Sequence, residues 1–298
     1  WIENLEQLQA VNNSDKSDNY ALRNSIDANY SVEMDGGKGF SSIGSSVDNA
    51  FIGKFDGLGF DIFDLNINRS DESNVGLFGY TNGAIIRNVT LNSGNISGGE
   101  NTGSLIGYAV NTTVENIINT AGVSGKDNTG GVVGYAQSST LSGLINTGTT
   151  YAKENQPSQN LGGIVGFLQS SSLSGETYNL GAVIGSLSYN VGGIVGRAIQ
   201  STIGSDEFQI YNQLNVTGSY NVGGIAGHIS STSNIKNAAN FGTVLAQGSI
   251  IEDYYYHTAN INTPNYDNGL AHISVQVANV GGIAGFAEGS TISNVENS

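Results

Sequence analysis

Few residues in this 298-residue chain could do chemistry. There is no cysteine, which excludes thiol catalysis, thiolate metal sites and a disulfide scaffold. The histidines are His228, His257 and His272, and none stands in a His-Glu-x-x-His zinc pattern. No Gly-x-Ser-x-Gly offers a serine nucleophile. Two groups remain. Asp56, Asp61 and Asp64, followed by Asp71 and Glu72, bring carboxylates close in sequence. Such oxygens could hold Ca2+ or, as a pair, could cleave a polysaccharide. The plainer reading is turn capping on a solvated surface. Lyase chemistry would also want a base, and Lys and Arg are sparse around these acids. The run Tyr254-Tyr255-Tyr256-His257 offers large ring area with polar tips, which suits recognition; it equally suits packing on a wall.

These residues sit on a repeat, which decides the architecture. The box Asn190-Val191-Gly192-Gly193-Ile194-Val195-Gly196 recurs in seven versions, closing at Gly79, Gly107, Gly134, Gly166, Gly196, Gly227 and Gly285. The spacing is 27–32 residues, except for a last gap of 58 that is either two periods or one with an insertion. The boxes resemble phosphate loops, but no lysine follows and they recur too often for a nucleotide site. Two residues before each closing glycine stands an aliphatic residue, from Leu77 to Ile283, which reads as an inward ladder. After the closing glycine come Tyr80, Tyr108, Tyr135, Phe167, Arg197, His228 and Phe286, which reads as a second, aromatic ladder. Seven residues after it comes another aliphatic residue, as at Ile86, Val114, Leu141, Leu173 and Ile203, and then often Asn or Gly. A second signature, Asn-x-Gly-x-Val-like, appears at Asn92, Asn179 and Asn240. Each period therefore predicts three short strands with corners between them.

Composition agrees. The 43 Gly suit corners, and only two Pro suits a chain whose backbone donors are all needed. Charged residues are 12%, with 10 Lys+Arg against 25 Asp+Glu and a net charge of −15. Nucleic acid and anionic membranes are thereby disfavoured as partners, and no apolar run is long enough for a membrane span. Residues 1–50 lack the repeat. Leu5, Leu8 and Val11 predict a short helix over Ile2–Val11 in a lead-in that covers the first coil. Residues 51–298 form the repeat region, with small insertions at Tyr151–Gln159 and near Asp206-Glu207-Phe208, and a loop at about 250–272. Residue 1 is Trp and Ser298 falls within a repeat, so the chain reads as a segment of something longer.

The order Tyr20-Ala21-Leu22, Phe55-Asp56-Gly57-Leu58-Gly59, Leu65-Asn66-Ile67-Asn68-Arg69 and Gly76-Leu77-Phe78-Gly79 resembles the GLUG-repeat region of bacterial surface proteins. It is most similar to filamentous-haemagglutinin-like exoproteins of two-partner secretion. Similar repeats occur in surface-anchored IgA-type metallopeptidases, whose catalytic part lies elsewhere. The resemblance implies an extracellular, right-handed β-helical stalk, often adhesive.

The expectation is an all-β parallel solenoid of roughly nine or ten coils with a structural and adhesive, non-enzymatic role. Expected partners are a host-cell glycan or surface protein, or neighbouring bacterial cells, with end-to-end or lateral self-association open. No cofactor is required, with Ca2+ at Asp56, Asp61, Asp71 and Glu72 as the open alternative. The rival readings are a carbohydrate-active β-helix enzyme and a passive spacer for a distant peptidase or toxin domain.

Overall fold

A computed structural model describes residues 1–153, 157–247 and 279–297. The chain winds as a parallel β-solenoid. Strands Phe78–Asn82, Ile106–Val110, Val133–Gln137, Val165–Gln169, Val195–Ile199, Ala226–Ser230 and Ala284–Glu288 lie side by side in sequence order. All are parallel to their neighbours, so each step along the sheet is one coil. A second sheet of five strands carries the first half of the boxes, and a third, of eighteen strands, wraps the remainder of each coil. Three sheets are thus present, but the third turns corners. The coil beginning at Tyr189–Gly192 and Val195–Ile199 continues through Thr202–Ile203, Ile210–Asn212 and Val216–Gly218.

The seven box-bearing strands bound about six turns, fewer than the nine or ten coils expected. The early chain adds rungs to the third sheet without a full box. Tyr20, Phe55, Ile86, Val114, Leu141, Leu173, Ile203, Ile235 and Ile292 form one column of nine. The last gap is one period with an insertion, because Val222 pairs with Val280 and His228 with Phe286. The insertion at Asp206–Phe208 bulges between two matched rungs, Ile203 with Ile235 and Ile210 with Ala238.

The aliphatic ladder before each closing glycine is inward. Leu77, Leu105, Val132, Ile164, Ile194 and Ile225 are fully buried, and Ile283 is half-buried in the last coil. Each such side chain contributes roughly 1.5–3 kcal/mol on burial. The polar side chains between the coils are equally ordered. The asparagine that opens each of the first six boxes has left-handed backbone, with φ of 55° at Asn190. The box asparagine's Nδ2 donates to Oδ1 of the asparagine one coil back: Asn101 to Asn74, Asn128 to Asn101, Asn160 to Asn128, Asn190 to Asn160, Asn221 to Asn190 and Asn279 to Asn221, all at 2.7–2.9 Å.

A second asparagine ladder runs through the interior and is polarised the other way. Nδ2 of Asn119, Asn146, Asn179, Asn212 and Asn240 each donates to the asparagine one coil ahead, ending at Asn297, at 2.8–3.0 Å. Each of these five Nδ2 groups also donates to the carbonyl two residues on. Asn179 and Asn240 belong to it as their shared signature suggests. Asn92 does not: Leu91 pairs with Asn119 while Ile96 pairs with Val123, so an extra residue displaces Asn92, which donates instead to Asp61. A buried amide is costly unless it is bonded, and stacking like on like satisfies both ends.

The second glycine of the box exists because of this ladder. A Cβ on Gly193 would stand 2.1 Å from the Gly224 carbonyl and 2.5 Å from Asn212 Cγ. Gly131, Gly163, Gly224 and Gly282 meet Asn146, Asn179, Asn240 and Asn297 in the same way.

The N-terminal end is closed. Helix α1, Leu5–Ala10, is shorter than the expected Ile2–Val11, because Ile2 bridges to Leu22 and Val11 opens a 3-10 turn; it starts at Asn4, whose side chain accepts from Gln7 N, and it buries Leu5 and Leu8. Asn12 Nδ2 donates to the Ser41 and Ser42 carbonyls. Buried Arg69 then ties this cap to the first coil, donating to the Phe40 and Gly39 carbonyls and pairing with Asp35 at 2.7 Å and Glu72 at 3.0 Å.

Two substitutions test this ladder by urea unfolding. Asn179→Ala strands the amide groups above and below it and is expected to lower stability by about 2–4 kcal/mol. Gly193→Ala is expected to cost about 2–3 kcal/mol through overpacking. Gly83→Ala, at φ 72° with open space around it, should cost only about 1 kcal/mol.

Candidate functional site

The structure does not gather the candidate carboxylates. Asp56 is ion-paired with Arg87 at 2.8 Å and accepts from Asn88 Nδ2 and Leu58 N. Partial burial works against its charge, but the bonds from Asn88, Leu58 and Arg87 outweigh it and hold its carboxyl below the ordinary range. Asp61 accepts from Asn92, and Glu72 is engaged by Arg69 and, at 3.6 Å, by Lys38. Asp71 is exposed, and Asp64 is exposed with φ of 54°, a corner residue. Among the described residues no three His, Asp or Glu side chains come together as a metal site would need. Tyr254, Tyr255, Tyr256 and His257, and the stretch at 250–272, lie outside the described residues.

The second sequence ladder is outward-facing. Tyr108 stacks on Tyr135 at 4.4 Å between centroids, and Tyr135 on Phe167 at 4.6 Å, while Tyr80 meets Tyr108 edge-on at 5.0 Å. Arg197 lies over the Phe167 ring at 5.4 Å, and His228 meets Phe286 edge-on at 5.0 Å. The column is therefore aromatic, then cationic, then aromatic. Its hydroxyls are used along the axis: Tyr108 Oη donates to Gln137 Oε1 at 2.6 Å, and Tyr135 Oη to Gln169 Oε1. Burial, with the Tyr135 ring beside it, pushes the Tyr108 phenol up to about 12. From Tyr108 to Phe167 the ring faces are taken up by stacking on one another and by Arg197.

His228 sits in the ladder without the ligand geometry of a catalytic base. Burial first, and then the neighbouring Arg197 charge, depress its pKa below 6.5, and Glu288 only partly opposes them. Its Nε2 and Arg197 Nε are enclosed without hydrogen-bond partners.

A cleft of about 290 Å3 lies between the N-terminal cap and the first coil, lined by Asn12, Asn13, Ser41, Ser45, Asn49 and Glu72 among others. Its Asn12 amide is committed to the Ser41 and Ser42 carbonyls and its Glu72 to Arg69, so no free acid and base converge there. The four interior asparagines at 119, 146, 212 and 297 were the polar residues hardest to find from sequence. The usable signal was an Asn four residues before a buried aliphatic or Thr, as at Asn146 and Thr150.

No protein-family profile matches the chain. A stretch of 123 residues, 39% of the chain, is 37% identical to Halomucin of Haloquadratum walsbyi (strain DSM 16790 / HBSQ001). That stretch is 1% of Halomucin, so the likeness is to one small part of a far longer protein. The fold matches a crystal structure from Bacteroides ovatus, named as a candidate immunoglobulin A1 protease, with a TM-score of 0.51. The match covers 100% of this chain and 83% of that one at 18% identity, a likeness of fold alone. No helix among the described residues is long and apolar enough to cross a membrane.

One pH effect follows from the ladder. A histidine whose folded pKa is depressed favours the folded state only while neutral, so its contribution is present above about pH 6.5 and is lost as pH falls through the folded pKa. The urea midpoint of the wild type should fall between pH 7.5 and pH 5, and the fall should be smaller in His228→Phe. Equal losses in both proteins would contradict the assignment.

Proposed function

We propose that this chain is an extracellular structural stalk of a large surface protein, of the GLUG-repeat, filamentous-haemagglutinin-like kind, with an adhesive role. The observation that carries it is the use of the polar side chains. The buried amides of both asparagine ladders bond to the neighbouring rungs, and the described clefts hold no free acid–base pair. Such a rod has stiffness to offer and little chemistry. The likeness to a small part of Halomucin supports a surface setting. In this reading the partners are a host-cell glycan or surface protein, or a neighbouring bacterial cell. The segment around 250–272, with Tyr254, Tyr255, Tyr256 and His257, is the part that reaches them.

A second reading is a passive spacer for a distant peptidase domain. The fold match over the whole chain to a protein named as a candidate protease supports it. In both readings the rod stands without a cofactor, since side-chain ladders and strand pairing hold it.

Beads coated with the chain should adhere to host cells or to a glycan array, and deletion of Glu252–His272 should remove that adherence. Unchanged adherence after the deletion would overturn the role of this segment, and none in either form would favour the spacer. A chelator should leave the melting temperature within about a degree; a fall of several degrees would instead place Ca2+ at the Asp56, Asp61, Asp71 and Glu72 carboxylates.

A further inference from the structure

Among the described residues, one face of the rod carries no charge. The runs 116–125, 143–152, 177–187, 208–219 and 237–247 contain no Asp, Glu, Lys or Arg in a chain that has 35 of them. Register places these runs on top of one another. Ile118, Ile145, Tyr178 and Tyr211 form one outward column, in register with the buried Ala239, and Tyr151, Ile184, Thr217 and Leu245 form the next, around the corner, in register with the buried Ser124. Charge returns one rung beyond, where Glu296 pairs with Ala239. Within this uncharged area Ile118, Tyr151, Ile184, Leu214, Phe241 and Leu245 are 37–47% exposed.

We infer that this charge-free face is a lateral docking surface for a second copy of the same chain. Two copies at net charge −15 repel each other, and only a face without carboxylates allows close approach. The face spans five rungs, about 20 Å at the strand spacing. Its exposed side chains present on the order of 500 Å2 of apolar surface, below the ~800 Å2 per partner of a standard stable interface. The dimer is therefore weak and reversible on its own, and would gain strength when many such rods are held in parallel. A glycan fits less well. Tyr178 and Tyr211 stack on each other at 4.3 Å and offer their edges outward, and the face lacks the convergent polar groups that would orient a sugar. The substitutions that test this face leave residues 250–272 unchanged in sequence, so this test and the adherence test fail independently.

Sedimentation equilibrium of the full chain at about 10–500 µM should show weight-average mass rising toward twice the monomer's. Association should tighten as salt screens the net charge. Ile184→Glu with Tyr211→Glu should weaken it at least tenfold, while Val47→Glu, at a 64% exposed site on the cap, should not. Because the chain has no cysteine, Thr217→Cys gives an independent readout that leaves the face apolar. Under mild oxidation it should cross-link into dimers faster than Val47→Cys. A monomer at every concentration, a dimer indifferent to the double substitution, or equal cross-linking at both cysteines would each overturn the proposal. Binding of a glycan to this face by a strictly monomeric chain would do the same.

Discussion

Everything in this fold follows from stacking a coil on its like at the spacing of a parallel sheet, about 4.8 Å. At that distance a buried amide is readily satisfied by another amide at the same place in the next coil. Asn179 shows the constraint in full: its Nδ2 reaches Asn212 and the Gly181 carbonyl, and its Oδ1 accepts from Asn146. The facing box must then give up a side chain, which is why Gly193 stands against Asn212. Asparagine and glycine are two sides of one requirement. The two asparagine ladders run with opposite polarity, the box ladder donating backward and the interior one forward, so their side-chain dipoles oppose along the rod.

Much of this was legible in the sequence, for reasons that differ by residue. The inward ladder from Leu77 to Ile283 and the aromatic one from Tyr80 to Phe286 could be read because identical environments recur at one period and select similar residues. The corner residues Asn88, Asn116, Gly143 and Gly175 could be read because only Asn and Gly take left-handed backbone easily, and all four have it. The number of turns was overestimated, because Tyr20 and Phe55 join a column without belonging to a full box. The displacement of Asn92 was invisible, since one extra residue in the strand Ile85–Ser97 changes the facing partner without changing the local motif. Asn119 and Asn212 escaped because their neighbours are Ala121 and Leu214, not the glycine of the signature.

Of the candidate site, less was legible. Proximity in sequence suggested a carboxylate cluster at Asp56, Asp61, Asp71 and Glu72. In a solenoid, however, the neighbours that matter are a period away: Asp56 finds Arg87 and Asn88, and Arg69 finds Asp35. The same logic hid the charge-free face. No single run such as 177–187 is unusual, and only the vertical register turns five such runs into one surface. Surface character in this architecture is a property of columns, set by residues a period apart.

The central claim is that the coils are interchangeable because each is held by the same ladder bonds to its neighbours. Excising residues 161–190 tests it directly, since Asn160 and Asn190 occupy equivalent rungs and the cut joins Asn160 to Val191. The shortened chain should fold, keep its β-sheet circular dichroism and unfold cooperatively in urea, with an m-value reduced in proportion to the coil removed. Failure to fold, or a loss of stability far beyond one coil's share, would contradict the claim.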